Sequence, residues 1–294
     1  MTDPASTIPL DTPIFQSARD KIERARHHFG DLKTELAEYK SRNPFNLVDV
    51  TEGDSVEVQV VVKEEIPKAL TLILGDCVHN LRSALDHIVF ESVARPGTRN
   101  CDFPIWNGKS SDFSQTKWTA FVEDKVQGRN AVVLRRYLGA LRAFQQGADE
   151  YLWVLHRLDI IDKHRLLLAV CAATDSIKTV TCVHGVRVNA DGTTEAIPNV
   201  GELELVFVPE KRFPLDDGTV LLTLEKEQWA DLKSMTPRLS IALAEPEPLA
   251  GHELEPAIRE LIERVDSFVD NAELFVQNSE NLALQQLSES SPKV

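Results

Sequence analysis

The sequence predicts an α+β fold, a helical bundle with long terminal helices beside a mainly antiparallel β-sheet. Three observations carry this. Apolar residues recur at steps of three and four near both ends of the chain, and they alternate with period two through most of residues 177–243. The connections between the alternating runs are short, as antiparallel strands allow. The expected division is a helical region over 1–173 with a β-hairpin at 44–63, an antiparallel region over 174–250, and a closing helix over 251–287 that packs back on the helical region. A disordered tail is expected over 288–294.

The first helix is marked by Phe15, Ala18, Ile22, Ala25, Phe29, Leu32, Leu36 and Tyr39, a narrow seam that also suits a homodimer. Asn43 and Pro44 end it, because the residue before a proline is pushed out of helical geometry. The run FNLVDVTEGDSVEVQVVV reads as two strands around Glu52, Gly53 and Asp54. Pro67 suits the first turn of a second helix that reaches about Arg95, where Pro96 and Gly97 stop it. TRNCDFPIWNGKSSDF has no helical period and is expected as a surface loop or lid. Helices follow at Thr116–Lys125 and Ala131–Phe144. YLWVLHRLDIIDKHRLLLAVCAA, Tyr151 to Ala173, is apolar on nearly all sides and is expected as a central helix. Strands follow in IKTVTCVHGVRVNA, ELELVFV, TVLLTL and RLSIALA, with Asp191 and Gly192 as a turn. The last helix starts near Glu253, with Leu254, Ile258, Leu261, Ile262, Val265, Phe268 and Val269 on one stripe.

A formal net charge of -14 at pH 7 excludes broad non-specific binding to nucleic acid or anionic membrane, because most of the surface repels phosphate. No signal peptide and no apolar run of about 18 residues occurs, so the expected location is the cytoplasm, without a membrane partner. Cys77, Cys101, Cys171 and Cys182 have no C-x-x-C spacing, which gives neither a zinc knuckle nor a redox pair. No glycine-rich phosphate loop or nucleophile elbow appears, and no cofactor is expected.

The chemistry-bearing stretch is LGDCVHNLRSALDHIVF, Leu74 to Phe90. At about 100° per residue, Asp76, His79, Asn80, Arg82, Ser83, Asp86 and His87 fall within one arc of a helix whose other side is apolar. Arg82 and His87 supply a fixed cation for phosphoryl oxygens and a group that titrates near neutral pH, the two needs of metal-free RNA cleavage. LRSALDH resembles the R-x4-6-H signature of the HEPN superfamily, helical proteins of which many are metal-independent ribonucleases in toxin and phage-defence systems. That resemblance implies Arg82 and His87 as a catalytic pair used across a dimer interface. Asn80 and Ser83 would then position substrate, with His164 auxiliary. LRSALDH together with LHRLDIIDKHR also resembles a family of bacterial proteins of unassigned activity that carry both motifs.

In LHRLDIIDKHRLLLAV, charges on a helix this apolar need partners. Asp86 is expected to meet Arg165 or Lys163, and His164 to meet Asp76 or Asp86, with Asp162 in the same network. Asp159 and Lys163 form a pair at i,i+4. Asp86, His87, Asp162 and His164 are metal-ligand types, but His79 and His87 lie about 12 Å apart along the axis and no H-E-x-x-H spacing occurs, so no metal is expected. Arg135 and Arg142, on one face of a locally basic helix, are the candidate contact for RNA in an acidic chain. Against the ribonuclease stands a different class: a non-enzymatic binding or scaffold protein in which the same Arg, His and Asp residues form a buried structural network.

Overall fold

The computed structural model describes residues 14–93, 102–108, 110–127, 131–165, 169–173, 177–209, 211–236 and 238–289. The fold is α+β with antiparallel sheets. In chain order the elements are α1 (Gln16–Ser41), β1 (Phe45–Glu52), β2 (Ser55–Val62), α2 (Lys68–Val93), α3 (Gln115–Lys125), α4 (Val132–Gly139) and α5 (Glu150–His164). There follow β3 (Ala169–Ala173), β4 (Ile177–Val188), β5 (Thr194–Phe207), β6 (Val220–Glu225), α6 (Lys226–Ala230), β7 (Leu232–Thr236), β8 (Leu239–Leu243) and α7 (Leu254–Glu289). Among the described residues no helix is long and apolar enough to cross a membrane.

The described residues form two compact units, one within 1–32, 72–167 and 258–294 and the other within 33–71 and 168–257. In the helical unit, the seam of α1 from Phe15 to Leu32 is buried, as are Leu74, Cys77, Val78, Leu81, Leu85 and Ile88 of α2 and the α7 stripe from Ile258 to Val269. Each such Leu, Ile or Phe contributes roughly 1.5–3 kcal/mol by leaving water. Arg19 bonds to Asp270 and Glu273 and Arg26 to Asp266, so the terminal helices lie side by side. The Cys77 thiol is pushed up to about 12 by burial, which leaves it a core side chain.

Among the described residues the strand unit holds three antiparallel sheets, ordered β1-β2-β6, β3-β8 and β5-β4-β7. Gly53, at φ 56°, makes the β1–β2 turn. Val58, Val60, Ile177, Leu215, Leu221, Leu222 and Leu224 are the core, with Phe45, Phe207, Trp229 and Leu239 packed against it.

Several expectations are corrected. The hairpin belongs with the C-terminal strands, since β2 pairs with β6. The helix expected to reach Ala173 stops at His164, and Arg165 turns extended at φ -162°. Residues 169–173 are instead strand β3, paired with β8. A short apolar run fits a helix or a strand equally by period, and here the free partner strand decides. The expected lid is a buried strap, because Phe103, Pro104 and Ile105 inside TRNCDFPIWNG are covered. α4 ends at Gly139, so Arg142 lies beyond it and does not share a helical face with Arg135. The α1 seam from Phe15 to Tyr39 is buried within the chain. Strand β7 and the short helix α6 carry no clear period and were not foreseen. The expected tail is helical through Glu289, and 290–294, like the expected stop at Pro96 and Gly97, lies outside the described residues.

Candidate functional site

The polar arc of α2 divides between two neighbours. At about 100° per residue, five positions separate Arg82 and His87 by about 140° around the helix. Arg82 turns towards α5 and the strap, while His87 turns towards α1. Arg82 is 6% exposed, and its guanidinium bonds to three groups. Nη1 donates to Asp86 Oδ1 at 2.5 Å, Nη2 to the Phe103 carbonyl at 3.2 Å, and Nε to His156 Nδ1 at 3.3 Å. Asp86 Oδ1 also accepts from the Phe103 amide at 2.8 Å, so the strap is fastened to α2 by donor and acceptor of one residue.

His156 has a fixed tautomer. An arginine only donates, so Nδ1 must be the lone-pair nitrogen and the ring proton sits on Nε2. The Asn107 amide lies 3.1 Å from Nε2 and must present its oxygen there. Burial first, and the neighbouring Arg82 second, hold this imidazole down at about 4, so it is neutral at pH 7.

Next along α5, Asp159 is buried between the His79 ring, Nδ1 at 3.0 Å, and the Lys163 ammonium, Nζ at 2.6 Å. Asp162 packs against α2 where Gly75 has no side chain; a Cβ there would come within 2.2 Å of Asp162 Oδ1. Burial, then Asp159 and Asp76, raise the Asp162 carboxyl above its usual range.

A cleft of about 290 Å3 opens beside this network, lined by Arg82, Asp86, Asn107, His156, Asp159 and Lys163 with Asp102 and Lys125 at its side. Each cation there has its own carboxylate: Arg82 has Asp86, Lys163 has Asp159, and Lys125 has Asp102 at 3.1 Å. The cleft therefore carries no excess positive field for a phosphate.

His87 lies elsewhere. Its Nδ1 is 2.8 Å from Ser17 Oγ, and that hydroxyl also bonds to Glu91, whose carboxylate accepts from the Ser17 amide at 2.9 Å. The cluster satisfies a free N–H in the first turn of α1.

The other candidates are placed as follows. Asn80 donates to the Asp76 carbonyl of its own helix at 2.8 Å, and Ser83 is half-buried outside the cleft. Asp76, His164 and Arg165 are exposed; Asp86 pairs with Arg82 and not with Arg165 or Lys163. Because α5 ends at His164, Lys163 and His164 sit in its last turn, where the helix dipole favours positive charge, and Lys163 reaches back one turn to the buried Asp159. Arg135 and Arg142 do not line the cleft. Among the described residues no group of three or more His, Cys, Asp or Glu is placed to hold a metal ion.

His156, Asn107 and the Phe103 backbone were not foreseen. His156 lies three residues before Asp159 and seven before Lys163, one face of α5, and that spacing was the available signal.

The chain matches no family model, no curated protein and no solved structure.

Proposed function

We propose that this chain is a non-enzymatic binding or scaffold protein, in which LRSALDH and LHRLDIIDKHR are the two halves of a packing network. The carrying observation is the Arg82 guanidinium, buried and bonded to Asp86, His156 and Phe103. A catalytic cation has to keep donors for the phosphoryl group and face the acid or base that moves the proton. Arg82 faces a neutral imidazole, and His87 is engaged by Ser17 on another side of α2. In this reading the HEPN-like motif is retained for packing: the arginine fastens the strap to the helix pair, and the histidine joins the start of α1.

The test sets Arg82→Ala beside His87→Ala and measures thermal unfolding and cleavage of single-stranded RNA with and without chelator. The network reading expects no cleavage in any form, a loss of about 3 kcal/mol for Arg82→Ala, since a buried charge pair is broken, and about 1 kcal/mol for His87→Ala. Cleavage by the parent protein that both substitutions abolish, with unfolding unchanged, would establish the ribonuclease instead.

A further inference from the structure

The strand unit contains a slot between two open strand edges. Phe45, Asn46 and Leu47 of β1 and Leu239, Ser240 and Ile241 of β8 line a cavity of about 470 Å3, within the usual range of ligand pockets. Three consecutive residues line it from each strand. Side chains alternate across a strand, so what each strand has in common along the slot is its backbone edge.

The hydrogen bonds give the direction of those edges. Val60 and Val62 stand opposite Leu47 and Phe45. Val60 exchanges its bonds with Thr219 and Gly218, and the Val62 amide donates to Asp217. Neither turns to β1, so Leu47 and Phe45 point their own N–H and C=O away from β2. On β8, the Leu243 amide donates to His252 and the Leu243 carbonyl accepts from Gly251, on the side away from β3. By alternation Leu239 and Ile241 present their backbone groups on that same side. The 250–254 segment takes the edge at Leu243 and, through the antiparallel Ala242–Glu253 bridge, at the Ile241 carbonyl; at Leu239 no strand is paired there among the described residues.

A third observation is independent of the edges. Ser240 is 4% exposed, lines the slot, and its hydroxyl has no hydrogen-bond partner among the described residues. A buried hydroxyl without a partner is uncommon and unfavourable. Lys40 stands exposed at the slot and adds a positive charge.

We propose that the slot is a peptide-binding site: an extended segment of a partner protein, with apolar side chains alternating and a carboxylate for Lys40, enters as a strand beside β1 and β8. The outward backbone groups of Phe45, Leu47 and Leu239 and the Ile241 amide supply the strand bonds, and the Ser240 hydroxyl bonds to the peptide backbone. The inference gives the binding reading its ligand class and rests on it in that respect, but it uses residues of the strand unit alone. Its failure therefore leaves the reading of Arg82 where it was.

The test titrates the full chain with a pool of end-capped heptapeptides in which Val, Leu or Ile alternates with Thr or Glu, and follows backbone amide shifts. The expected result is saturable shifts at Phe45, Leu47, Leu239 and Ile241. Ser240→Ala should leave unfolding unchanged or raise its midpoint while weakening the selected peptide about fivefold, one neutral hydrogen bond. Leu47→Pro, which removes an outward N–H at a strand edge, should abolish binding; if that variant does not fold, Ser240→Ala decides. No saturable shift across the pool at millimolar concentration, shifts confined to other residues, or parent-like binding by Ser240→Ala would overturn the proposal.

Discussion

Lowering the pH should loosen the helical unit through one residue, His156. Its ring accepts from Arg82 on Nδ1, and protonation there would place a second cation against the guanidinium and break the bond. Folding moves the imidazole from about 6.5 down to about 4, so the folded chain favours the neutral form. The contribution is complete above the unfolded value. It is lost as pH falls from 6.5 towards 4, because the unfolded chain takes up a proton that the folded chain refuses. At about 1.4 kcal/mol per pH unit the full shift corresponds to about 3 kcal/mol, and screening of a ring that is only half-buried reduces this to about 1–2 kcal/mol. The assay is urea unfolding from pH 7.5 to 4.5 for the parent and for His156→Gln, whose amide keeps an acceptor for Arg82. The parent should lose about 1–2 kcal/mol more than the variant over that range. Parallel curves would refute the argument, since they would mean that His156 titrates alike in both states.

Three further outcomes follow from the same geometry. Asp162→Asn should stabilise the protein at pH 7: the folded carboxyl titrates above its usual range, so its ionised form costs stability that is absent at low pH, and the gain should fade as the buffer is taken below pH 4. Gly75→Ala should destabilise by about 1 kcal/mol despite the better helix propensity of alanine, because the new Cβ collides with Asp162; chemical denaturation in an Asp162→Ala background should return most of that loss. Glu91→Ala should lower the unfolding midpoint by the equivalent of about 1 kcal/mol, with hydrogen exchange accelerated at the start of α1, where Glu91 accepts from the Ser17 amide.

The long helices were legible because their apolar stripes are one-dimensional: every seam residue from Phe15 to Tyr39, and every stripe residue from Leu254 to Val269, is buried where the period of the helix puts it. The pairs Arg82–Asp86 and Asp159–Lys163 were legible for the same reason, being one turn apart on a single helix. What failed was long-range. AVCAA reads alike as helix or strand, and only β8, some seventy residues on, makes it β3. Once α5 ends at His164, that residue is exposed in the last turn and meets neither Asp76 nor Asp86, while Lys163 pairs with Asp159 of its own helix. The strap was misjudged because turn formers at both its ends hide a buried Phe-Pro-Ile centre. His156 was hidden because its role depends on Arg82 and Asn107, which lie far from it in the chain and close in space.

The central claim is that Arg82 works with His156 and Asp86, and not with His87. Double-mutant cycles in urea unfolding measure this directly, using Arg82→Ala with His156→Ala and Arg82→Ala with His87→Ala. The account predicts a coupling of about 1 kcal/mol or more in the first cycle and none beyond about 0.5 kcal/mol in the second. A larger coupling between Arg82 and His87 than between Arg82 and His156 would contradict it.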